Sequence, residues 1–404
     1  MEVTKPILLD ETGKEMVKAM GKQNALLQIL ARDSMKTLAD DWGDVQKIIR
    51  GGYAAEVFDY GDQFAEKWTD TAASKEYDYP FRVNHFENVE LRDGESVPAM
   101  FLQAHYAHPF GVQFSHHRAF LACPEGLTAG TYYFTIESSW GTYVAAGDIV
   151  SFTLTQDVPE GGKLAGCYGA PDQAKSKWKI YSYSADGKTV LETVTPTFEA
   201  SGENLGVIKS NKRNGNLNSM QETAYGWNRW STSALRQYLN SSAGVGEWWT
   251  AQDQWDIAPD QLTSKAGFLS GVPKELLDVM LTFKTVTYTN TVNDGGEADI
   301  TYDKVILPSL EQMYIKNQIA GEGAYHEYWK RATGQTSPMQ WYDPNRYPEL
   351  IHYACENHTS PQYVRLRSAN RGNASNVWYV SSAGCVCNSS ASNAYRFSPL
   401  VAIG

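Results

Sequence analysis

The run VRLRSANRGNASNVWYVSSAGCVCNSSASNAYRFSPLVAI, residues 364–403, decides how the rest of the chain is read. From Val364 to Gly404 there is no Lys, Asp, Glu, Gln or Met, and the only charges are Arg365, Arg367, Arg371 and Arg396. Val380, Val386, Pro399, Val401 and Ile403 are apolar anchors for a backbone, and Gly384 suits a turn. Between them Tyr379, Ser381, Ala383, Cys385 and Cys387 fall at period two and share the opposite side of an extended chain. Regular anchors argue against a disordered polar tail. The pattern predicts short strands that present small polar residues and tyrosines on one exposed face.

The whole chain has 404 residues, enough for two or three domains, with 42% apolar and 20% charged residues. Aromatics reach 12%, including 12 Trp and 24 Tyr, which suits β-rich domains and binding surfaces better than a helical bundle. A net charge of −11 without a basic tract makes a poor partner for a phosphate backbone, so no nucleic-acid binding is expected. The opening MEVTKPILLDETGKEM lacks the basic-then-apolar order of a signal peptide, and no run approaches 18 apolar residues. The expectation is synthesis in a cytoplasm, with no membrane insertion. Five scattered cysteines make no disulfide framework.

Residues 10–48 read as helix, with Val17, Met20, Asn24, Leu27, Ala31 and Leu38 roughly at 3–4 spacing. Asn24 could set the register of a short coiled coil, or the helix could simply pack on its own domain. From 53 to 195 alternating runs such as TYYFTIESS and DIVSFTLTQ predict an all-β unit, a sandwich or jelly roll. Beyond residue 199 short helices mix with strands. NRWSTSALRQYLN (228–240) is predicted helical with Ser231 as N-cap and Asn240 as stop, and GVPKELLDVML (271–281) with Pro273 at its first position. Ser309 and Gln312 have capping-box spacing. KTVTYTNTV and ITYDKVIL flank NDGGEAD as a hairpin or an excursion. The domain reading is therefore 1–52 as a helical anchoring or oligomerisation segment, 53–198 as a β-sandwich, and 199–404 as an α+β unit. The class is multidomain and mainly β.

Chemistry is sparse. GxSxG, HExxH and a Gly-rich phosphate loop are all absent from the sequence. His105, His108, His116 and His117 crowd into 13 residues, but strand alternation scatters their rings and no carboxylate sits at ligand spacing. They read as packed polar aromatics, with metal binding the open alternative. Asp294 to Asp299 lacks EF-hand spacing and reads as a solvated turn. No cofactor and no metal is expected.

Three segments carry a family resemblance. YGWNRWSTSALRQYLNS (225–241), KVILPSLEQMY (304–314) and the run 364–403 resemble successive elements of the C-type-lectin-type fold. That fold is shared by formylglycine-generating enzymes and the variable proteins of diversity-generating retroelements. The resemblance covers about 200 residues, and the closing run is its most specific part. It implies a C-type-lectin-like domain whose variable region spans about 364–404. In such systems randomised AAC-type codons cannot give Lys, Glu, Gln, Met or Trp. That matches the narrow alphabet and makes Trp378 part of the fixed scaffold. The implied variable face comprises Asn370, Arg371, Asn373, Ser375, Asn376, Tyr379, Ser381, Ala383, Cys385, Cys387, Asn388, Ser389, Ser390, Ser392, Asn393 and Tyr395. LDETGKEMVKAMGKQNALLQILARD (9–33) and VQKIIRGGYAAEVFDYGDQF (45–64) resemble the opening of structural proteins of tailed phages. The function implied is non-enzymatic adhesion from a virion, on its tail or capsid surface. The partners implied are a host receptor, protein or glycan, and other virion proteins, in a homo-oligomer for which a trimer is favoured. A capsid decoration or head-fibre protein with the same adhesive domain is one alternative. A formylglycine-generating-type enzyme is the other.

Overall fold

A computed structural model describes residues 41–404 apart from 117–120, 137–144, 168–178, 186–188, 200–201, 203, 211–218, 223–225, 253–255, 257, 293 and 341–345. The architecture is mainly β, with 36% strand against 14% helix distributed over several sheets. The helix expected from residue 10, with Asn24 in its seam, lies outside the described residues as far as residue 40.

One five-stranded sheet ties the two ends of the described chain together. Its order is Gln63–Phe64, Phe81–Glu90, Ser96–Ala104, Leu400–Ile403, Val305–Ile306. The last strand of the chain pairs Val401 with Leu102 on one side and with Val305 on the other. Leu400, Val401, Ala402 and Ile403 are all buried, as befits a central strand covered on both faces. One sheet crosses the boundary read from sequence between 53–198 and 199–404. Strands up to Ala104 belong to the same sheet as the C-terminus. Alternation marks a strand but does not say which strand it pairs with, and this pairing spans about 300 residues of chain.

A second β unit runs from Leu121 to Glu222. Four strands, Leu121–Cys123, Gly162–Cys167, Lys179–Tyr183 and Val190–Val194, make one sheet. Five others, Thr197–Glu199, Ile149–Leu154, Gly130–Ile136, Asn204–Ser210 and Ser219–Glu222, make another. Phe134, Val150, Phe152, Leu164 and Ile180 give the unit a core of its own. At its root the chain comes back on itself: a Cβ on Gly226 would overlap the Ser115 carbonyl.

Trp42–Arg50 is a helix capped by Asp41, whose carboxylate accepts from the Asp44 N–H at 2.9 Å. Trp42, Val45 and Ile49 are buried in the main core, and Gln46 donates to the Gly404 carbonyl at 2.6 Å. Packing on its own domain, the second of the two readings, therefore holds for this portion of the N-terminal segment. The helix Ala234–Leu239 is capped by Ser233 rather than Ser231, whose hydroxyl donates to Asp299 instead. Pro273 precedes the helix Lys274–Val279 as its cap residue. The capping box is reciprocal: Gln312 N–H donates to Ser309 Oγ, and Ser309 N–H to Gln312 Oε1, both at 3.1 Å. Phe283–Tyr288 and Ala298–Asp303 form the expected hairpin. Its loop acids are not solvated as expected. Asp294 accepts from Trp227 Nε1 and Asn290 Nδ2, and Asp299 pairs with Arg229 at 2.9 Å.

Candidate binding face

Four strands carry the C-terminal run, in the order Val386–Ser390, Asn376–Val380, Val364–Ala369, Arg396–Phe397. The first three are antiparallel neighbours, and Arg396–Phe397 runs parallel to Val364–Ala369. Trp378, Val380 and Val386 are buried and pack with Leu366, Trp329 and Leu350 into a core beneath one side. Alternation turns Tyr379 the other way, in register with Cys387 and with Arg365.

Three tyrosines meet there. Ring centroids lie 5.0 Å apart for Tyr379 and Tyr395, 5.4 Å for Tyr363 and Tyr395, and 5.7 Å for Tyr363 and Tyr379. Tyr363 is 45% exposed; Tyr379 and Tyr395 are half-buried. Ser389 Oγ accepts from Asn393 Nδ2 at 2.8 Å and from the Tyr395 hydroxyl at 3.4 Å. Asn393 itself is exposed.

Arg365 is fully buried on the same side of the sheet. Its Nη1 donates to the carbonyls of Val377 and Ser389, both at 3.1 Å. Its Nη2 donates to those of Ser390 at 2.9 Å and Asn393 at 3.0 Å. Burial pushes the guanidinium down to about 10, opposed by Tyr395 and Tyr379, so it keeps its charge at neutral pH. Asn228 does the corresponding work one loop away. Its Nδ2 donates to the carbonyls of Asn370, Asn373 and Asn376, at 3.0, 2.6 and 2.9 Å. Its Oδ1 accepts from Asn290 at 2.9 Å. Main-chain bonds complete the hold: Ala391 N–H to Ser375 O at 2.7 Å, and Ser115 N–H to Ala391 O at 3.1 Å. At the hairpin tip Gly384 has φ +78, and a Cβ there would overlap the Tyr347 carbonyl. The carbonyls gripped by Arg365 and Asn228 exist whatever side chain is attached.

The expected residues do not form one face. Tyr379, Cys387, Ser389, Asn393 and Tyr395 come together. Asn376, Asn388 and Ser390 lie on the Trp378 side, where Asn376 Nδ2 donates to Asn388 Oδ1 at 2.8 Å. Ser381 is only 8% exposed, and its hydroxyl accepts from the N–H groups of Ala383 at 3.3 Å and Cys385 at 3.0 Å. Those bonds make a turn, so period two stops at Val380, and Ala383 and Cys385 belong to the turn. Asn373 Oδ1 accepts from Ser375 and Asn376 N–H, and Asn370 Oδ1 from Gly372 N–H, so these side chains shape their own loop. Arg371 is drawn inward, donating to the carbonyls of Thr289 at 3.0 Å and Gly296 at 2.9 Å. Ser392 is half-buried, with its backbone against Gly226. Tyr363 was missed because it precedes the narrow-alphabet run; its period-two relation to Arg365 was the available signal.

Burial, then Cys385, pushes the Cys387 thiol up, and burial and Cys387 push Tyr379 up to about 12. Neither shift favours a reactive anion. The histidines diverge. His108 is held between the hydroxyls of Tyr79 and Tyr238, each at 3.1 Å; His105 Nδ1 faces Arg82 at 3.2 Å; His116 Nδ1 faces the Ala258 carbonyl at 3.0 Å. His117 lies outside the described residues. Among the described residues no three His, Cys, Asp or Glu side chains gather to hold a metal, and no helix is long and apolar enough to cross a membrane.

Residues 200–403 match the family model described as "Domain of unknown function (DUF6273)". No curated protein and no solved structure matches the chain.

Proposed function

The chain belongs to the DUF6273 family, and from that premise we propose that it is a phage adhesion protein whose C-terminal domain displays a variable ligand-binding surface. The scaffold in this reading is C-type-lectin-like, and a retroelement diversifies it. One observation carries the reading: Arg365 and Asn228 hold the loops around 370–376 and 389–393 through backbone carbonyls. A surface whose side chains change from copy to copy needs a backbone held by bonds that ignore those side chains. The tyrosine cluster supports the same reading, because Tyr offers large contact area at low entropic cost beside adaptable Ser and Asn.

The ligand is a host cell-surface receptor, protein or glycan, and the protein sits on the virion among other structural proteins. A homo-oligomer, with a trimer favoured, raises the apparent affinity of weak sites by roughly 10²–10⁴-fold. A capsid-decoration role would keep the adhesive face and change only its location. The formylglycine-generating reading is disfavoured. That chemistry draws on a reactive cysteine pair, whereas Cys385 and Cys387 sit at a hairpin where the Cys387 thiol is pushed up by burial.

A library tests the proposal. Codons for Tyr379, Cys387, Ser389, Asn393 and Tyr395 are randomised together, and thermal unfolding is measured clone by clone. Most clones should fold with melting temperatures close to the parent; a library that mostly unfolds sinks the reading. The gene should also lie beside a reverse transcriptase gene and an adenine-rich near-copy of its own 3′ end.

A further inference from the structure

The helix Glu327–Thr333 packs on the strand Phe81–Glu90, and two imidazoles stand at the contact. His326, fully buried, stacks on half-buried His85 with ring centroids 5.1 Å apart and planes 13° apart. Phe101 adds an apolar ring 5.2 Å from His326. Among the described residues neither ring nitrogen of His326 has a hydrogen-bond partner. His326 is also the N-cap residue of the helix, yet its side chain caps nothing. His85 supplies the acceptor instead: Glu327 N–H donates to His85 Nδ1 at 3.4 Å.

This contact requires both rings neutral. A proton on His85 Nδ1 turns the acceptor into a donor facing a donor. A proton on His326 buries a cation without a partner, stacked on a second imidazole. The surrounding charges do not offset these costs. Glu327 favours a charged His85, but its carboxylate is shared with Lys330 at 3.3 Å and Arg331 at 3.4 Å. Arg367, from the strand Val364–Ala369, opposes a charge on His326. Glu87, two positions beyond His85 on its strand, is half-buried, and burial raises its own carboxyl. Burial holds both imidazoles below their ordinary value. The helix is anchored separately a turn further on. Trp329 packs with Trp378 and Leu366 and donates to Gln103 at 3.1 Å.

We propose that His85 and His326 form an acid-operated latch: protonating the pair releases the start of the helix, His326–Tyr328, while Trp329 stays packed. Once open, each ring has the ordinary histidine pKa of about 6.5. Opening therefore takes up protons below about pH 6.5 and is favoured as the pH falls further. The latch does not depend on the adhesive reading of the tyrosine face.

Amide hydrogen exchange of the full-length protein tests it, read at pH 7.5, 6.5 and 5.5 and corrected for the intrinsic exchange rate. Protection at the helix start should fall between pH 7.5 and 5.5 by about tenfold for each titrating ring, about a hundredfold for both. His85→Asn keeps an acceptor and His326→Phe keeps the stacked ring, so each should reduce the fall to about tenfold. The two substitutions together should abolish it. His352→Gln, which acts on global stability, should leave the fall in place. Level protection in the parent, a full fall in either single variant, or its loss in His352→Gln overturns the latch.

Discussion

The guanidinium carbon of Arg365 lies 4.6 Å from the ring centroid of Tyr395. One of these residues holds the backbone and the other faces the solvent, so their substitutions should behave in opposite ways. Arg365→Met leaves four carbonyls without their donor. A loss of about 2–4 kcal/mol in chemical denaturation is expected, because buried acceptors lose partners together. Arg365→Lys should recover little, since an ammonium cannot reproduce the planar fork. A lysine variant as stable as the parent contradicts this role.

Asn228 should be as intolerant for the same reason. Asn228→Asp replaces a donor to three carbonyls with an acceptor, so attraction becomes repulsion at the centre of the 370–376 loop. We expect a destabilisation of about 2–3 kcal/mol, larger than for Asn228→Ala. Equal effects of Asp and Ala would mean that the carbonyl bonds matter little.

The two hairpin cysteines should be dispensable. Both are half-buried free thiols, and neither lies in a core cluster. Cys385→Ser with Cys387→Ser is expected to change stability by no more than about 0.5 kcal/mol. Ser381→Ala should cost more, about 1 kcal/mol, because its hydroxyl accepts two turn N–H groups. Differential scanning calorimetry of the two variants separates the residues that shape the hairpin from those it presents.

Much of this was legible before the structure. Val380 and Val386 read as anchors, the resemblance makes Trp378 scaffold, and all three are buried; the Ser309–Gln312 capping box is reciprocal, and the 283–303 hairpin forms. Local patterns report local geometry. What escaped was long-range. Nothing in an alternating strand says that Leu102 pairs with Val401, so a sheet shared between the 53–198 and 199–404 segments is not legible in the sequence. Period two predicts too large a face, because it does not foresee the Ser381–Cys385 turn and because the narrow alphabet covers both sides of the strand Val386–Ser390. Arg365 was noticed only as a charge; its role depends on four carbonyls from three separate segments.

Acid should unfold the protein through its buried histidines. Burial pushes His352 down to about 3 and His105 to about 4, and holds His108, His326 and His85 below their ordinary value. Each pKa is lower folded than unfolded, so the unfolded chain binds more protons below about pH 6.5. Stability is therefore fully present above that value and falls as the pH drops. The fully buried His352 alone removes about 1.4 kcal/mol per pH unit once the unfolded histidine is protonated. Half-exposed His105 contributes less because solvent screens it. Urea denaturation at pH 7.5, 6 and 5 checks the slope, and His352→Gln should flatten it. A stability curve level between about pH 6.5 and 5 shows that these rings reach water.

Tyr363 and Tyr395 stack at 5.4 Å with Tyr363 nearly half exposed, so the pair should matter for binding and not for folding. Tyr363→Ala removes a ring that, among the described residues, packs on the Tyr379 and Tyr395 rings, and a stability change within about 0.5 kcal/mol is expected. Tyr395→Ala uncovers part of Arg365 and should cost slightly more, about 1 kcal/mol, through the lost cation–π contact. Tyr379 also packs on Cys387, and burial is the main cause of its raised pKa, so its alanine variant should be the least stable of the three. Binding should follow a different order. On the usual scale for aromatic anchors each loss costs about 1–3 kcal/mol of affinity, and the exposed Tyr363 should rank with the other two despite its small effect on stability. Thermal unfolding and adsorption to intact bacterial cells, measured on the same three variants, give both orders. If adsorption falls only in proportion to unfolding, the tyrosines are packing residues and the adhesive reading of this face fails.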